Sequence, residues 1–272
     1  MTNFIFVDGS YFVFYRYFAT LAWWKHANSD EDCDNLNENE IFMNKFRELF
    51  VKKLREIPKK LNLDTSEMYI ALDCPRQQIW RNAYHSNYKG DRTCAKGIGE
   101  IFKIVMSEEL FNQKFIKGIL SCPELEGDDC IALSVKHLQK LKQLDDDLRD
   151  QIYIITSDCD FMQLKDENTH IINLKYKIVG DKKTTGDPNK DLFLKVVCGD
   201  KSDGIINIFK NMRIGPKTAV KYFDDHDKFK VLCMKDDEGT YERYLTNKKL
   251  ISFDEIPSEH VENFNKLNKD IR

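Results

Sequence analysis

Along the first two-thirds of the chain, apolar runs repeatedly stop at an acid. "FIFVD" (residues 4–8), "EMYIALD" (67–73), "FIKGIL" (115–120), "QIYIIT" (151–156) and "THIINL" (169–174) read as five strands. Between them lie helical patterns. Residues 10–24 form a long aromatic segment. Residues 40–61 place Ile41, Phe42, Phe46, Leu49, Phe50, Leu54 and Ile57 on one face. A further helix starts near Glu126 and aligns Ile131, Val135, Leu138 and Leu141. Alternating strands and helices predict an α/β fold with a mainly parallel sheet covered on both faces. The polar acidic stretch 25–40 reads as an exposed loop. After Lys175 the texture changes. Residues 180–191 are loop, Asp187 and Pro188 fit an N-cap and N1, and a helix runs to about Val197. Short helices joined by polar turns make up the rest.

Composition narrows this picture. With 272 residues, 42% of them hydrophobic, the chain can bury a large core. It lacks the run of ~20 apolar residues that a membrane span needs. Its N-terminal segment lacks signal-peptide features, so an intracellular protein is expected, cytoplasmic or nuclear. The eight cysteines form no C-x-x-C pair, which argues against a zinc ribbon and for reduced thiols. A net charge of −3 counts mildly against a nucleic-acid binder. That objection weakens if carboxylates are spent on metal ions. Of the 45 acidic residues nine are site candidates, and the other 36 face 42 lysines and arginines.

Binding crevices of open parallel sheets lie beyond the carboxyl ends of the strands. Asp8 and Asp73 end two strands, Glu126, Asp128 and Asp129 follow a third, and Asp158 and Asp160 follow a fourth. Each alone could cap a helix or a turn. All on one edge would repel one another, and divalent cations would relieve that repulsion. An oxygen-only ligand set suits Mg²⁺ or Mn²⁺, and the surplus of carboxylates suggests two ions. "GDKSDG" adds Asp200 and Asp203 at a spacing that can place both on one face of a turn. Downstream, "IGPKTA" reads as a helix-hairpin-helix turn. Gly215 would allow the turn, helix-start N–H groups would meet a phosphate, and Lys217 and Lys221 would add charge. An ordinary Gly-Pro helix start is the alternative. Cys159, between two acids, is expected to point into the core, with Phe161 and Leu164 anchoring the segment after it.

The ordered motifs "FVDGSYFVFYR", "ALDCPRQQIWRNAYHSNYKGDR", "ELEGDDCIAL", "ITSDCDFMQL" and "VCGDKSDGI…IGPKTA" span residues 6–223. With them the chain resembles the flap endonuclease and 5′→3′ exonuclease superfamily, which includes polymerase-linked and phage 5′ nucleases. The resemblance implies a PIN-like nuclease domain over residues 1–190, with a gateway for single strands at about 76–114. It also implies a helical DNA-binding region over 191–272 that contains a helix-three-turn-helix. Asp8, Asp73, Glu126 and Asp128 would match the first metal cluster. Asp158, Asp160 and Asp203 would match the second, with Asp129 and Asp200 nearby. Lys89 and Arg81 would contact the scissile phosphate. Arg76, Tyr84, Tyr88, Lys89 and Arg92 supply the basic-aromatic mixture that holds single strands.

The implied substrates are DNA with a 5′ flap, nick or 5′ end, cut by a monomer of phage-like or viral type. The implied cofactors are two Mg²⁺ ions, which Mn²⁺ could replace, and a K⁺ ion at the helix-three-turn-helix. The sequence departs from the family where Asn-x-Pro-Gly would follow "GDKSD". "GIINIFKNMRIG" stands there instead, so the turn that would carry the K⁺ ion is altered and longer. Three other readings compete: a 5′ nuclease removing RNA from hybrids, a weakly catalytic binder of branched nucleic acid, and a small-molecule phosphohydrolase.

Overall fold

A computed structural model describes residues 2–28, 36–90, 92, 95, 97–145, 148–180, 184–269 and 271. Its centre is one sheet of five parallel strands: β1 (Asn3–Asp8), β2 (Glu67–Ala71), β3 (Gly118–Leu120), β4 (Gln151–Ile155) and β5 (Thr169–Ile172). The strand order is β3-β2-β1-β4-β5, with every neighbouring pair parallel. The order reverses direction between β1 and β4, so the crevice of an open α/β sheet is expected there. Val7 pairs with both Ile70 and Ile155, which puts Asp8, Asp73 and Asp158 just beyond one edge. The strands at residues 115–120 and 169–174 are shorter than their apolar runs.

The two-residue alternation of β1 sorts its side chains onto two layers. Phe4 and Phe6 face a core shared with Ile131, Val135 and Leu138 of α5 (Gly127–Leu144). Ile5 and Val7 face the other core, built by α1 (Gly9–Ala27), α2 (Glu40–Arg55) and α4 (Ile98–Ser107). Four residues apart, Phe42, Phe46, Phe50 and Leu54 make the buried stripe of α2. Phe50 meets Phe12 of α1 edge-on, with ring centres 4.9 Å apart. The helix read over 40–61 is two helices, because α3 (Ile57–Lys60) starts separately. Pro58 has no N–H for the Leu54 carbonyl, so α2 ends before it.

α1 starts close against β2. A Cβ on Gly9 would lie 2.5 Å from the Ala71 carbonyl oxygen and 2.8 Å from the Leu72 side chain. Only glycine lets the helix begin there, directly after Asp8. The C-terminal part is helical: α6 (Pro188–Cys198), α7 (Pro216–Ala219), α8 (His226–Asp236), α9 (Thr240–Ile251) and α10 (Ser258–Leu267). Phe193, Ile208, Phe229 and Cys233 form a separate small core there. Phe253, Ile256, Phe264 and Ile271 do not join it. They pack back onto the sheet layer of α5. Part of the acidic loop 25–40, and residues 91, 93, 94 and 96 of the gateway segment, lie outside the described residues. No described helix is long and apolar enough to cross a membrane.

Candidate metal centre

Asp8, Asp73, Glu126, Asp128 and Asp158 line one cavity of about 320 Å³, together with Ser10, Phe14, Arg76, Lys89 and Arg92. Backbone ends bring them there. Asp8 is the N-cap of α1 and accepts from the Tyr11 N–H (2.9 Å) and the Thr156 hydroxyl (3.0 Å). Asp73 accepts from the Ser10 hydroxyl (2.6 Å) and from the Gly127 N–H (2.7 Å) at the start of α5. Glu126 caps that helix, and Asp128 lies in its first turn. Asp158 caps the 3-10 helix Cys159–Leu164 by accepting from the Asp160 N–H (2.8 Å).

Crowding is visible in the proton affinities. Burial pushes the Asp8 carboxyl up to about 6; the Tyr11 N–H opposes this, and the neighbouring Asp73 adds to it. Asp128 is held well above the ordinary carboxylate range by burial and by Glu126, against the pull of Lys89. Asp160 is raised to about 6 by burial, partly offset by Lys195, with Asp158 adding to the rise. Three carboxyls that resist ionising in one neighbourhood fit a place where cations bind.

Asp160 and Asp200 are joined by a residue that sequence reading passed over. Lys195 of α6 pairs with Asp160 and, at 2.7 Å, with Asp200. Burial works against ionised Asp200, yet hydrogen bonds from Lys195 and Ser202 outweigh it and bring the carboxyl down to about 2. Nothing local in "DLFLKVVCGD" marks Lys195, which reads as one more helix lysine. Asp203 is buried behind Arg92, with which it pairs, and its Oδ2 lies 3.5 Å from the Tyr88 hydroxyl. Asp200 and Asp203 thus turn to different partners. Lys89 adopts a positive φ of 54°, donates its N–H to the Asp203 carbonyl (2.9 Å), and places Nζ 2.5 Å from Glu126 Oε1. Burial disfavours its charge, but Asp128 and Glu126 outweigh this and hold the ammonium above its usual range.

Three expectations change. Arg81 does not face the cavity: its side chain is 2% exposed. Its Nη1 and Nη2 each donate to Asp129 at 2.7 Å, Nη1 also reaches Glu126 at 3.0 Å, and Nε donates to the Leu250 carbonyl at 2.8 Å. With its donors committed inside the protein, Arg81 cannot hold a scissile phosphate. Asp129 has ligand atoms within 4.8 Å of those of Glu126 and Asp128. Both its oxygens also accept from Arg81, and Oδ2 from Trp80 Nε1 (3.1 Å), so a metal ion there would share Asp129 with these partners.

Tyr88 is buried and donates to Glu126 (3.1 Å), which removes it from the base-stacking set. Tyr84 remains exposed, with the Lys249 ammonium 4.7 Å from its ring centre. Cys159 is exposed and lines a second cavity of about 570 Å³ with Asp160, Lys195 and Cys198. The 3-10 turn directs Phe161 and Leu164 inward and leaves Cys159 at the open end. Arg76, Arg92, Gly215, Lys217 and Lys221 are exposed.

Residues 3–190 match the family model described as 5′-3′ exonuclease, N-terminal resolvase-like domain. Ribonuclease H of Enterobacteria phage T4 is 26% identical over 253 residues, covering 84% of this chain and 78% of that one. The phage T5 5′-exonuclease with divalent metal ions (zinc) bound is similar in fold, with a TM-score of 0.68 at 19% identity over 99% of this chain and 98% of that one. A phage T5 flap endonuclease in a pseudo-enzyme-product complex with DNA and metal ions has a TM-score of 0.69 at 18% identity, covering 99% and 97% of the two chains.

Proposed function

The chain belongs to the 5′–3′ exonuclease family, and from that premise we propose that it is a divalent-metal-dependent, structure-specific 5′ nuclease acting on flapped, nicked or 5′-ended DNA. One observation carries this reading: carboxylates from separate strand ends line one cavity together with Lys89, Arg76 and Arg92. The oxygen-only donor set, three of whose carboxyls resist ionisation, fits Mg²⁺, with Mn²⁺ able to replace it. Asp8, Asp73, Glu126 and Asp128 would hold one ion. Asp158, Asp160, Asp200 and Asp203 would hold a second.

When bound, such ions supply a nucleophilic water at neutral pH and neutralise charge on the phosphate oxygens. The chain's own residues do the rest. Lys89, released from Glu126, offers its ammonium to a non-bridging phosphate oxygen. Arg76 and Arg92 hold the backbone at the cavity mouth, and Tyr84 offers an aromatic face to an unpaired base. Lys195 keeps Asp160 and Asp200 oriented. Lys217 and Lys221, beside the helix start at Gly215, would contact duplex phosphates. All these groups come from one chain, so a monomer suffices.

The likeness to a phage ribonuclease H favours a second reading, in which the cut strand is RNA in a hybrid. The test uses a 5′-labelled DNA flap and an RNA–DNA hybrid with Mg²⁺, Ca²⁺ or EDTA, comparing wild type with Asp158→Asn. Mg²⁺-dependent cutting that Asp158→Asn abolishes is expected. Cutting in EDTA, or full activity of the variant, overturns the mechanism. Binding without cutting by wild type would instead mark a non-catalytic binder.

A further inference from the structure

The turn over residues 204–215 is where the family resemblance would place a potassium ion. Such an ion exchanges its water shell for several converging backbone carbonyl oxygens. Each such oxygen must turn a lone pair to the ion. In this chain five carbonyls of the turn already accept from N–H donors. The Ile206 carbonyl accepts from Asn247 Nδ2 (2.9 Å), that of Ile208 from Arg243 Nε (2.7 Å) and that of Ile214 from Asn207 Nδ2 (2.8 Å). The Met212 carbonyl accepts from the Ile214 N–H (3.1 Å), and the Gly215 carbonyl from the N–H groups of Thr218 (3.0 Å) and Ala219 (2.9 Å).

A positive charge already stands against the turn. The Arg243 guanidinium spreads its other donors over Asp237 (2.8 Å) and the Thr240 hydroxyl (2.7 Å), and lies 3.6 Å from Asp236 Oδ2. Asp236 in turn accepts from the N–H groups of Lys210 (3.0 Å), Asn211 (2.9 Å) and Met212 (2.9 Å) and from the Thr240 hydroxyl (2.9 Å). The tip of the turn therefore hangs on a buried carboxylate, and its base hangs on a guanidinium. A potassium ion placed here would have to compete with these donors, and Arg243 already supplies the positive charge that faces Asp236 and Asp237. The residues do not fit it.

We propose that Arg243 is the built-in cation of this turn, and that Arg243 and Asn207 together replace a bound potassium ion. The turn's grip on duplex DNA then does not depend on which monovalent cation is present. A guanidinium tethered to α9 is always present and always charged, and its planar fork binds a carbonyl and a carboxylate in fixed geometry. The proposal rests on reading the helix-three-turn-helix, residues 199–223, as a duplex grip, so its test has a readout that needs no DNA.

Thermal unfolding of the full chain is measured in KCl, NaCl and tetramethylammonium chloride at equal ionic strength. Duplex binding is measured in Ca²⁺ by fluorescence anisotropy in the same three salts. One melting temperature in all three salts and duplex affinities equal within about twofold are expected, because a site-bound ion would add stability by mass action. A rise in melting temperature, or tighter binding, specific to potassium overturns the proposal. Arg243→Gln keeps an N–H group but loses the charge, and should weaken duplex binding roughly tenfold in every salt. Wild-type affinity in that variant denies Arg243 its role. If it does not fold, Asn207→Ala tests the same turn, with weakening again expected in every salt and wild-type affinity again counting against the proposal. Should wild type bind no duplex in any salt, the duplex reading fails, while the melting comparison still decides the potassium question.

Discussion

Arg81 clasps Asp129 through two hydrogen bonds of 2.7 Å, deep behind the acids that line the cavity. The pair is buried on both sides, and Glu126 and the Leu250 carbonyl share the same guanidinium. Removing one member of such a pair leaves an uncompensated charge in the interior. Arg81→Ala should therefore cost about 3–5 kcal/mol of stability. Arg81→Lys should recover only part of this, because an ammonium cannot reproduce the planar fork. Urea unfolding of the two variants checks the expectation. A near-wild-type midpoint for Arg81→Ala would show that the pair is not structural.

Lys89 has a different balance. Its ammonium touches Glu126 and opens onto the cavity, while its backbone is tied to Asp203. Lys89→Ala should lower the cleavage rate on a flap substrate by about 10²–10³-fold, the effect of losing one charge-stabilising donor. Substrate affinity in Ca²⁺ should change far less. Single-turnover cleavage and anisotropy separate the two. Equal losses in rate and affinity would assign Lys89 to holding the strand instead.

The raised carboxyls set a pH dependence. Asp8 and Asp160 are protonated up to about pH 6 in the folded chain, against about 4 in the unfolded one. Between those values the folded state binds more protons, so stability falls as pH rises through the window. Asp200 acts oppositely: its folded value of about 2 contributes stability that is present above its ordinary value near 4 and lost as pH falls through 2. Without divalent ions the melting temperature should therefore decrease between pH 5 and 7. Mg²⁺ should raise it more at pH 7.5 than at pH 5, because protons compete for the same oxygens. Calorimetry over that range, with and without Mg²⁺, is the check. A Mg²⁺ effect independent of pH would exclude Asp8 and Asp160 from the ion's ligands.

Gly9 lets α1 start directly after Asp8, close against Ala71 and Leu72 of the segment that leads to Asp73. Its missing Cβ leaves room for the Ala71 carbonyl, so Gly9→Ala must push α1 away from β2. Displacement of about 1 Å between catalytic groups can cost roughly 10²-fold in rate. Cleavage by Gly9→Ala should fall by that order, with a loss of about 1–3 kcal/mol in stability from overpacking. Activity assays paired with thermal melts test this, and an active variant would show that the helix start can yield.

The five strands and the strand-end positions of Asp8, Asp73, Glu126, Asp128 and Asp158 were all legible in the chain itself. Apolar runs that stop at an acid are a local signal, and in a parallel sheet all such stops lie on one edge. Motif order likewise made the family recognisable. What local pattern could not reveal was where each charge finds its counter-charge. Arg81 and Lys89 are eight residues apart in one basic-aromatic segment, yet one is sealed behind the acids and the other opens onto the cavity. The difference arises because Asp129, Glu126 and, far along the chain, the Leu250 carbonyl together hold Arg81 inward. Lys195, Asp236 and Arg243 were hidden for the same reason: each acts through partners on other elements. Sequence determines which groups are available and on which edge they emerge, because both depend on local periodicity. Packing of distant segments alone decides which of them stay free for a ligand, since pairing and desolvation are settled only once those segments meet.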